Sequence, residues 1–357
     1  MKCILIKFLN KDEMKTIFFF ISLLLFKCSF SQNTGFKLFL IGDTGEDTAL
    51  QSTMKNFLDT ISHYPNSAVV FLGDNCYKEW ILGIERGGFD SSAITMRRMG
   101  VQLDGLKNSK YKGSVFFIPG NHDRWNTTRM KRGDRFLKKE QLFIEDQLRS
   151  NSFINNNDKT FLPRNGNPID AVDLNNSKLK LIFLDTHWLI MQKKAKKRQL
   201  VYEQIDSILN DAVLHHQQIV VTAHHPLYTI GSHSKRRFIP FLKFITAQDI
   251  YHPAYKDMRM RIDTMLHQKN YPIIFASGHD HVLEYFRKDS VQYVVSGAGS
   301  KTTRFSKKND FNPQPGKDIP EHRIAKLCEG YFEVDFNGED VAISIDTINA
   351  IGKELVK

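Results

Sequence analysis

The sequence predicts an α/β fold in which two mixed β-sheets pack together with helices on the outside, forming a four-layer α/β/β/α sandwich. Strand-like apolar runs alternate with helical stretches through most of the chain, which indicates βαβ units. The last part shifts to consecutive strands, and no stretch of the 357 residues resembles a linker between two domains. Five apolar runs end in short polar motifs, at the carboxyl ends of strands where such sheets place their active residues.

The N-terminal half contains three of these strand and motif pairs. The strands are predicted at Phe36–Ile41, residues 68–72 and residues 114–118, and the motifs are Gly42-Asp43-Thr44-Gly45, Gly73-Asp74-Asn75-Cys76-Tyr77 and Gly120-Asn121-His122-Asp123. Helical periodicity over residues 49–63 and 92–106 separates the three strands.

The C-terminal half supplies the other two motifs. Helices are predicted over residues 134–149, 198–214 and 255–267. Strands are predicted at Leu179–Leu184, 218–222, 272–276, 282–288, Val291–Ser296, 330–336 and 341–347. The strand at 218–222 leads to Val221-Thr222-Ala223-His224-His225, and the strand at 272–276 leads to Gly278-His279-Asp280-His281. Residues 226–254 have no clear period, and a loop of this length often binds ligands, so we expect this segment to face the substrate.

The N-terminus has the features of a targeting segment. Met14-Lys15 begins a short basic region, and the apolar run over residues 17–26 has the length of a signal sequence and is short for a membrane span. We therefore expect residues 1–31 to be a signal peptide, with Met14 as an alternative start, and residues 32–357 to form a single domain. Export to the periplasm or the medium follows; the alternative is an uncleaved membrane anchor.

Charge and cysteine content exclude some classes of protein. Loss of residues 1–31 removes five lysines and two acidic residues, which lowers the net charge from +11 to +8. A basic surface favours anionic ligands, but the basic residues form local runs without a nucleic-acid-binding motif, so no specific nucleic-acid binding is expected. Membrane contact is expected only through the signal segment, and the oligomeric state stays open. Only Cys76 and Cys328 would remain, which excludes a disulfide scaffold.

The motifs supply enough ligands for two metal ions that share one carboxylate. Asp43 can bind one ion, Asp74 can bridge both and Asn121 offers an amide oxygen. His224, His279 and His281 add imidazoles, and this mixture of hard oxygens and neutral nitrogens suits a dinuclear hydrolase. Any single motif has a structural explanation, because aspartate after glycine is common in turns. Five motifs in this order, each at a strand end, favour a metal site.

Together the motifs resemble the calcineurin-like metallophosphoesterase superfamily. Within it, residues 73–77 are similar to the purple acid phosphatases, especially the small, tartrate-resistant type, and so is Val295-Ser296-Gly297-Ala298-Gly299. The tyrosine at position 77 separates this branch from general members, unless it is simply a packed aromatic. The resemblance implies the metallophosphoesterase sandwich. One departure is Asp43-Thr44-Gly45-Glu46, where small members often have an aromatic residue and a second glycine, and this alters the pocket rim.

The resemblance also implies how the ligands divide. The first ion is expected to be Fe(III), held by Asp43, Asp74, Tyr77 and His281. The second is expected to be divalent Fe, Zn or Mn, held by Asp74, Asn121, His224 and His279. A free phenol has a pKa of about 10, so binding Tyr77 as a phenolate calls for a strongly charged cation, and Fe(III) also acidifies a bound water molecule.

The same resemblance gives the expected reaction. A metal-bound hydroxide would attack the phosphorus of a small phosphate monoester, and His122 would protonate the leaving alkoxide or stabilise the transition state. Asn121, His122 and His225 are the candidate substrate-binding residues, and Asp123 would orient His122 or cap the following turn. The chain is thus expected to be an acid phosphatase. The alternatives are a phosphodiesterase or nucleotide phosphohydrolase with the same site, and a non-catalytic binding protein.

Overall fold

The computed structural model describes residues 35–77, 80–81, 84–85, 93–124, 130–149, 151, 154–155, 159–234, 247–303, 321–347 and 354–355. The expected signal peptide and the basic residues 235–237 lie outside these ranges. Within these ranges, no helix combines the length and apolar character needed to span a membrane.

Fifteen strands and six α-helices make up the described part of the chain. The strands are β1 (Phe36–Ile41), β2 (Ser67–Phe71), β3 (Trp80–Ile81), β4 (Ile84–Glu85), β5 (Ser114–Phe117), β6 (Ile169–Leu174), β7 (Leu179–Leu184), β8 (Gln218–Ala223), β9 (Ile273–Ser277), β10 (Leu283–Lys288), β11 (Val291–Ser296), β12 (Glu321–Lys326), β13 (Gly330–Asn337), β14 (Asp340–Thr347) and β15 (Glu354–Leu355). The helices are α1 (Ser52–Ser62), α2 (Ala93–Ser109), α3 (Met130–Arg149), α4 (Thr186–Met191), α5 (Ala195–Leu214) and α6 (Pro253–Gln268).

Two large mixed sheets form the centre of the fold. One has six strands in the order β15-β14-β13-β1-β2-β5, with β1, β2 and β5 parallel and the pairs on the other side antiparallel. The other has seven strands in the order β12-β10-β11-β9-β8-β7-β6, with β11, β9, β8 and β7 parallel. Strands β3 and β4 form a separate short hairpin.

Three buried apolar clusters define the layers. The cluster between the sheets contains residues of both, including Leu38 and Val70 from one and Phe183 and Val220 from the other. A second cluster joins the seven-stranded sheet to α5 and α6, and a third joins the six-stranded sheet to α1, α2 and α3. The predicted four-layer α/β/β/α sandwich is therefore confirmed.

Some elements have no counterpart in the sequence prediction. The edge strands β6 and β12 are rich in charged residues and depend on pairing with β7 and β10. Helix α4 has only six residues and begins where the Asp185 side chain accepts a hydrogen bond from the Trp188 amide at 2.9 Å. Helix α6 begins at Pro253, inside the segment predicted to be aperiodic, because proline suits the first turn of a helix.

Candidate metal centre

The five motifs lie at the carboxyl ends of β1, β2, β5, β8 and β9, as predicted, and the backbone turns sharply where the ligand residues begin. Asp43, Asp74 and His279 have positive φ values of 58°, 50° and 72°. Residues other than glycine rarely adopt this conformation, and such strain concentrates at functional sites. The turns direct these side chains back across the strand ends.

Two glycines allow the strand ends to approach closely. A Cβ atom on Gly120 would collide with the backbone nitrogen and carboxylate of Asp74. A Cβ atom on Gly73 would collide with Gly120 and with the His224 ring, and Gly73 also has a φ of 86°. The glycines in these two motifs therefore bring ligand residues of different strands into contact.

The first group of predicted ligands consists of Asp43, Tyr77 and His281. The Tyr77 hydroxyl donates to Asp43 Oδ1 at 2.7 Å and lies 2.9 Å from His281 Nε2. His281 Nε2 is itself 3.4 Å from Asp43 Oδ1. A carboxylate, a phenol and an imidazole from three motifs thus meet at one point.

The second group consists of Asn121, His224 and His279. The Asn121 Oδ1 atom lies 3.0 Å from His224 Nε2 and 3.0 Å from His279 Nδ1. The two histidine nitrogens are 3.2 Å apart. All three side chains are buried.

Asp74 lies between the two groups. Ligand atoms of Asp43, Asp74 and His224 all lie within 4.8 Å of one another. Asp74 Oδ1 is 3.3 Å from His224 Nε2 and accepts a hydrogen bond from the His122 amide at 2.9 Å. The bridging role that the sequence predicts for Asp74 stays a prediction, and these contacts are compatible with it.

The donor chemistry of the second group fits a cation. The carbonyl oxygen of Leu72 is 2.8 Å from His224 Nδ1, and that of Gln248 is 2.9 Å from His279 Nε2. A carbonyl accepts, so these ring nitrogens carry protons and the opposite nitrogens present lone pairs in the neutral imidazoles. Those lone pairs face each other and the Asn121 oxygen. Acceptors gathered in this way are stabilised by a proton or a metal ion placed among them.

The electrostatics of the buried groups agree with this arrangement. Burial favours the neutral form of Asp74, but the charges of His224 and His122 outweigh it and hold its pKa well below the usual range. Burial opposes protonation of His224, yet the nearby Asp74 raises the pKa of His224 to about 9. Burial and neighbouring histidine charges lower the pKa of His279 well below its usual value. Without a cation, a proton on His224 neutralises Asp74.

Tyr77 is held as a phenol in the metal-free site. Burial, followed by the charges of Asp43 and Asp74, raises its pKa well above the usual value. The residue can therefore act as a phenolate ligand only where a strongly charged cation offsets these effects.

His122 lies at the open side of the site. Its side chain is 23% exposed, and its Nε2 atom is 3.9 Å from Asp74 Oδ2. Its ring packs against Tyr77 with 4.7 Å between ring centroids. An imidazole in this position can reach both the site and the solvent, as a proton donor requires.

His225 lies differently from what the sequence suggests. It is fully buried, with Nδ1 2.8 Å from Thr186 Oγ1 and Nε2 2.7 Å from Gln248 Oε1. Both ring nitrogens therefore contact protein groups. The ring packs 4.5 Å from that of His279, so in this structure His225 supports a predicted ligand from behind.

Asp123 joins two motif loops. Its carboxylate accepts hydrogen bonds from the backbone amides of Gly120 at 2.7 Å, Cys76 at 3.2 Å and Asn75 at 3.3 Å. Asp123 thus connects the loops after β2 and β5. The sequence instead suggests that it orients His122 or caps the following turn. Cys76 is buried, and neither it nor Cys328 forms a disulfide bond within the part of the chain that the structure describes.

Three further residues lie near the site. Gln248 contacts His225 and His279. The side chain of His233 is 25% exposed, and its ring lies 4.1 Å from that of His279. Lys301 lies over the ring of Tyr77. Gln248 and His233 belong to the segment 226–254, whose described parts do border the site. His233 belongs to residues 232–237, which are expected to face the substrate, whereas nothing in the aperiodic sequence singles out Gln248.

Comparison with known proteins agrees with this geometry. A sequence model of the family described as calcineurin-like phosphoesterase matches residues 36–297. No curated protein sequence matches the chain significantly.

Solved structures similar to this one share its fold at low sequence identity. GAP50, described as the anchor in the inner membrane complex of Plasmodium, is 15% identical with a TM-score of 0.59, over 90% of this chain and 88% of that chain. A dimetal phosphatase from Danio rerio is 10% identical with a TM-score of 0.53, over 90% and 98% of the two chains. PhoD is 12% identical with a TM-score of 0.54, over 90% and 72%.

Proposed function

Because the chain belongs to the calcineurin-like phosphoesterase family, we propose that it is an acid phosphatase that hydrolyses phosphate monoesters. Family membership accounts for phosphoester hydrolysis, two metal ions and a small phosphorylated substrate. The finer proposal is carried by Tyr77, whose hydroxyl contacts both Asp43 and His281. A phenol in this ligand set favours a ferric ion and the purple acid phosphatase branch.

We propose that the residues divide between the ions as the sequence predicts. Fe(III) would be held by Asp43, Asp74, Tyr77 and His281, and a divalent Fe, Zn or Mn ion by Asp74, Asn121, His224 and His279. The two ions would supply positive charge for the phosphate oxygens and acidify a water molecule.

The chain's own residues would complete the reaction. His122 is partly exposed beside Asp74 and would give its proton to the oxygen of the departing alcohol. The ring of His233 lies 4.1 Å from that of His279, and His233 would contact the phosphate group. Asn121 would hold its amide oxygen toward the divalent ion, while its neighbour His122 faces the substrate.

Turnover of an aryl phosphate, a bis-aryl phosphate and nucleotides at pH 5–7 tests this proposal. We expect the monoester to be preferred, because its two free charges can bind both ions. A clear preference for the diester or for nucleotides would instead identify a phosphodiesterase or nucleotide phosphohydrolase. The Asp74→Asn variant is the control for the site, and less than a tenfold loss of activity in it would contradict catalysis there.

The role of His122 has its own test. We expect His122→Ala to slow monoester turnover about 10²- to 10⁴-fold, the range for loss of a general acid. Metal content should be unchanged, because the ring of His122 is not among the proposed ligands. Full activity in this variant would remove His122 from the reaction.

Export is part of the proposal. Residues 1–31 combine a short basic region with an apolar run of signal-sequence length. Sequencing the N-terminus of the protein from its native host should find a mature chain that begins near Gln32. A chain that keeps residues 1–31 and sediments with membranes would indicate an anchor instead.

A further inference from the structure

Lys301 places a positive charge directly on the ring of Tyr77. Its Nζ atom is 3.2 Å from the ring centroid, closer than Lys37 Nζ is to the ring of Tyr64, at 4.7 Å. The lysine follows β11, and its side chain is 29% exposed. A cation over an aromatic face is attracted by the ring's electrons.

Among the described residues, the Lys301 ammonium pairs with a carboxylate that also pairs with Arg98. Lys301 Nζ donates to Glu46 Oε2 at 3.0 Å, and Arg98 Nη2 donates to Glu46 Oε1 at 3.2 Å. Two cations thus share one carboxylate. Arg98 also donates to the Tyr77 carbonyl at 2.8 Å, so both cations contact the same tyrosine.

The ion pair between Lys301 and Glu46 does not by itself explain why the ammonium group lies over the ring of Tyr77. Such pairs contribute about 0–1 kcal/mol and are screened by salt. Here the Lys301 ammonium contacts the ring of a predicted metal ligand, whose oxygen lies at the opposite end, against Asp43 and His281. The attraction would strengthen if the oxygen became a phenolate, because part of its negative charge spreads into the ring.

We propose that Lys301 is a positioning residue that acts through Tyr77 and tunes its donation of electrons to the ferric ion. The inference rests on the proposed function, because it needs Tyr77 as a phenolate ligand. A positive charge on the ring lowers the energy of the phenolate electrons. It therefore raises the energy of the tyrosinate charge-transfer absorption and raises the reduction potential of the ferric ion.

The test compares visible spectra and reduction potentials of the iron-loaded wild type with those of Lys301→Gln, Lys301→Arg and Glu46→Gln. Lys301→Gln removes the charge, and we expect its absorption maximum at longer wavelength and its potential lower than the wild type's. Lys301→Arg keeps the charge, so its absorption maximum and reduction potential should equal those of the wild type. Glu46→Gln removes the neutralising carboxylate and should shift the maximum to shorter wavelength. Equal iron content and melting temperature establish that the variants are folded.

The outcomes separate this inference from the proposed function. A wild-type protein that binds iron without a visible band overturns the tyrosinate assignment and the role of Lys301 together. A wild-type band that stays in place in Lys301→Gln overturns only the role of Lys301. An unmoved band with a raised KM for substrates that carry a second anionic group would likewise overturn it, and would make Lys301 a substrate contact.

Discussion

The Nε2 atom of His224 and the Nδ1 atom of His279 lie 3.2 Å apart, and each is 3.0 Å from the same amide oxygen of Asn121. The other ring nitrogens, His224 Nδ1 and His279 Nε2, donate to the backbone carbonyls of Leu72 and Gln248. The pKa of His224 is raised to about 9, whereas that of His279 is lowered well below its usual value. At neutral pH His224 therefore carries a second ring proton and is charged, whereas His279 is neutral, and that second proton lies in the place that a cation would take.

Metal binding at this cluster should release the proton of His224. At pH 7, below its pKa of about 9, we expect about one proton to leave when Zn(II) or Mn(II) binds, because ligands must be deprotonated. Below that pKa, the apparent affinity should then rise about tenfold for each unit by which the pH is raised. Titration calorimetry of the metal-free protein in two buffers of different ionisation enthalpy measures the release. An affinity that is constant between pH 6 and pH 8 would contradict it.

Replacing Tyr77 by phenylalanine should remove the colour of the iron-loaded protein. The hydroxyl that contacts Asp43 and His281 is the source of the expected tyrosinate absorption. The matched control is Tyr111→Phe, since Tyr111 is also buried but its hydroxyl contacts Ser67 at 2.7 Å. That variant should keep the band and lose about 1 kcal/mol of unfolding free energy with its hydrogen bond. A Tyr77→Phe protein that keeps the band would refute the ligand assignment.

The predicted ligand residues come together because each closely follows a strand. Apolar runs of strand length and the glycines beside them are visible in the sequence, and the carboxyl ends of parallel strands meet at one edge. Gln248 could not be found in this way, because it contacts His279 through its backbone carbonyl. A carbonyl carries no signal of residue type. Lys301 was hidden for a similar reason, since its contact with Tyr77 joins positions far apart in the chain.

His225 illustrates where sequence adjacency is misleading. It follows the predicted ligand His224 directly, which suggests a shared site. The strand ends at Ala223, however, and the backbone bends at both histidines, so their side chains diverge. The two rings are nearly perpendicular, at 84°, and His225 faces Thr186 and Gln248. The pair thus provides one predicted ligand and one supporting residue.

Truncating Gln248 should weaken metal binding without removing a ligand. Gln248→Ala keeps the carbonyl that contacts His279 but loses the amide oxygen that holds His225. Because His225 packs against His279, we expect the affinity for the divalent ion to fall about tenfold, at the lower end of the effect of outer-shell changes. Metal titration with a fluorescent competitor measures it. Gln199→Ala, on the surface of α5, is the control, and equal affinities in the two variants would contradict the supporting role.

The buried carboxyl group of Glu140 should make the free energy of unfolding depend on pH. This buried glutamate of α3 accepts a hydrogen bond from Asn75 Nδ2 at 3.1 Å, beneath the loop that carries Asp74 and Tyr77. Burial, and then the charge of Asp123, raises the pKa of Glu140 well above its usual value. The folded protein therefore keeps a proton that the unfolded chain loses near the ordinary glutamate pKa of about 4.3.

The sign of the effect follows from proton linkage. The contribution of Glu140 is fully present below the unfolded pKa and is lost as the pH rises through the folded one, at about 1.4 kcal/mol per unit of pKa difference. Glu140→Gln has no proton to lose, so its unfolding free energy relative to the wild type should increase between pH 5 and pH 8. Denaturant unfolding in the presence of a chelator measures this, because a bound cation would add charge near Asp123. The exposed Glu203→Gln control should show a constant difference, and the same constancy in Glu140→Gln would mean that the buried carboxyl ionises normally.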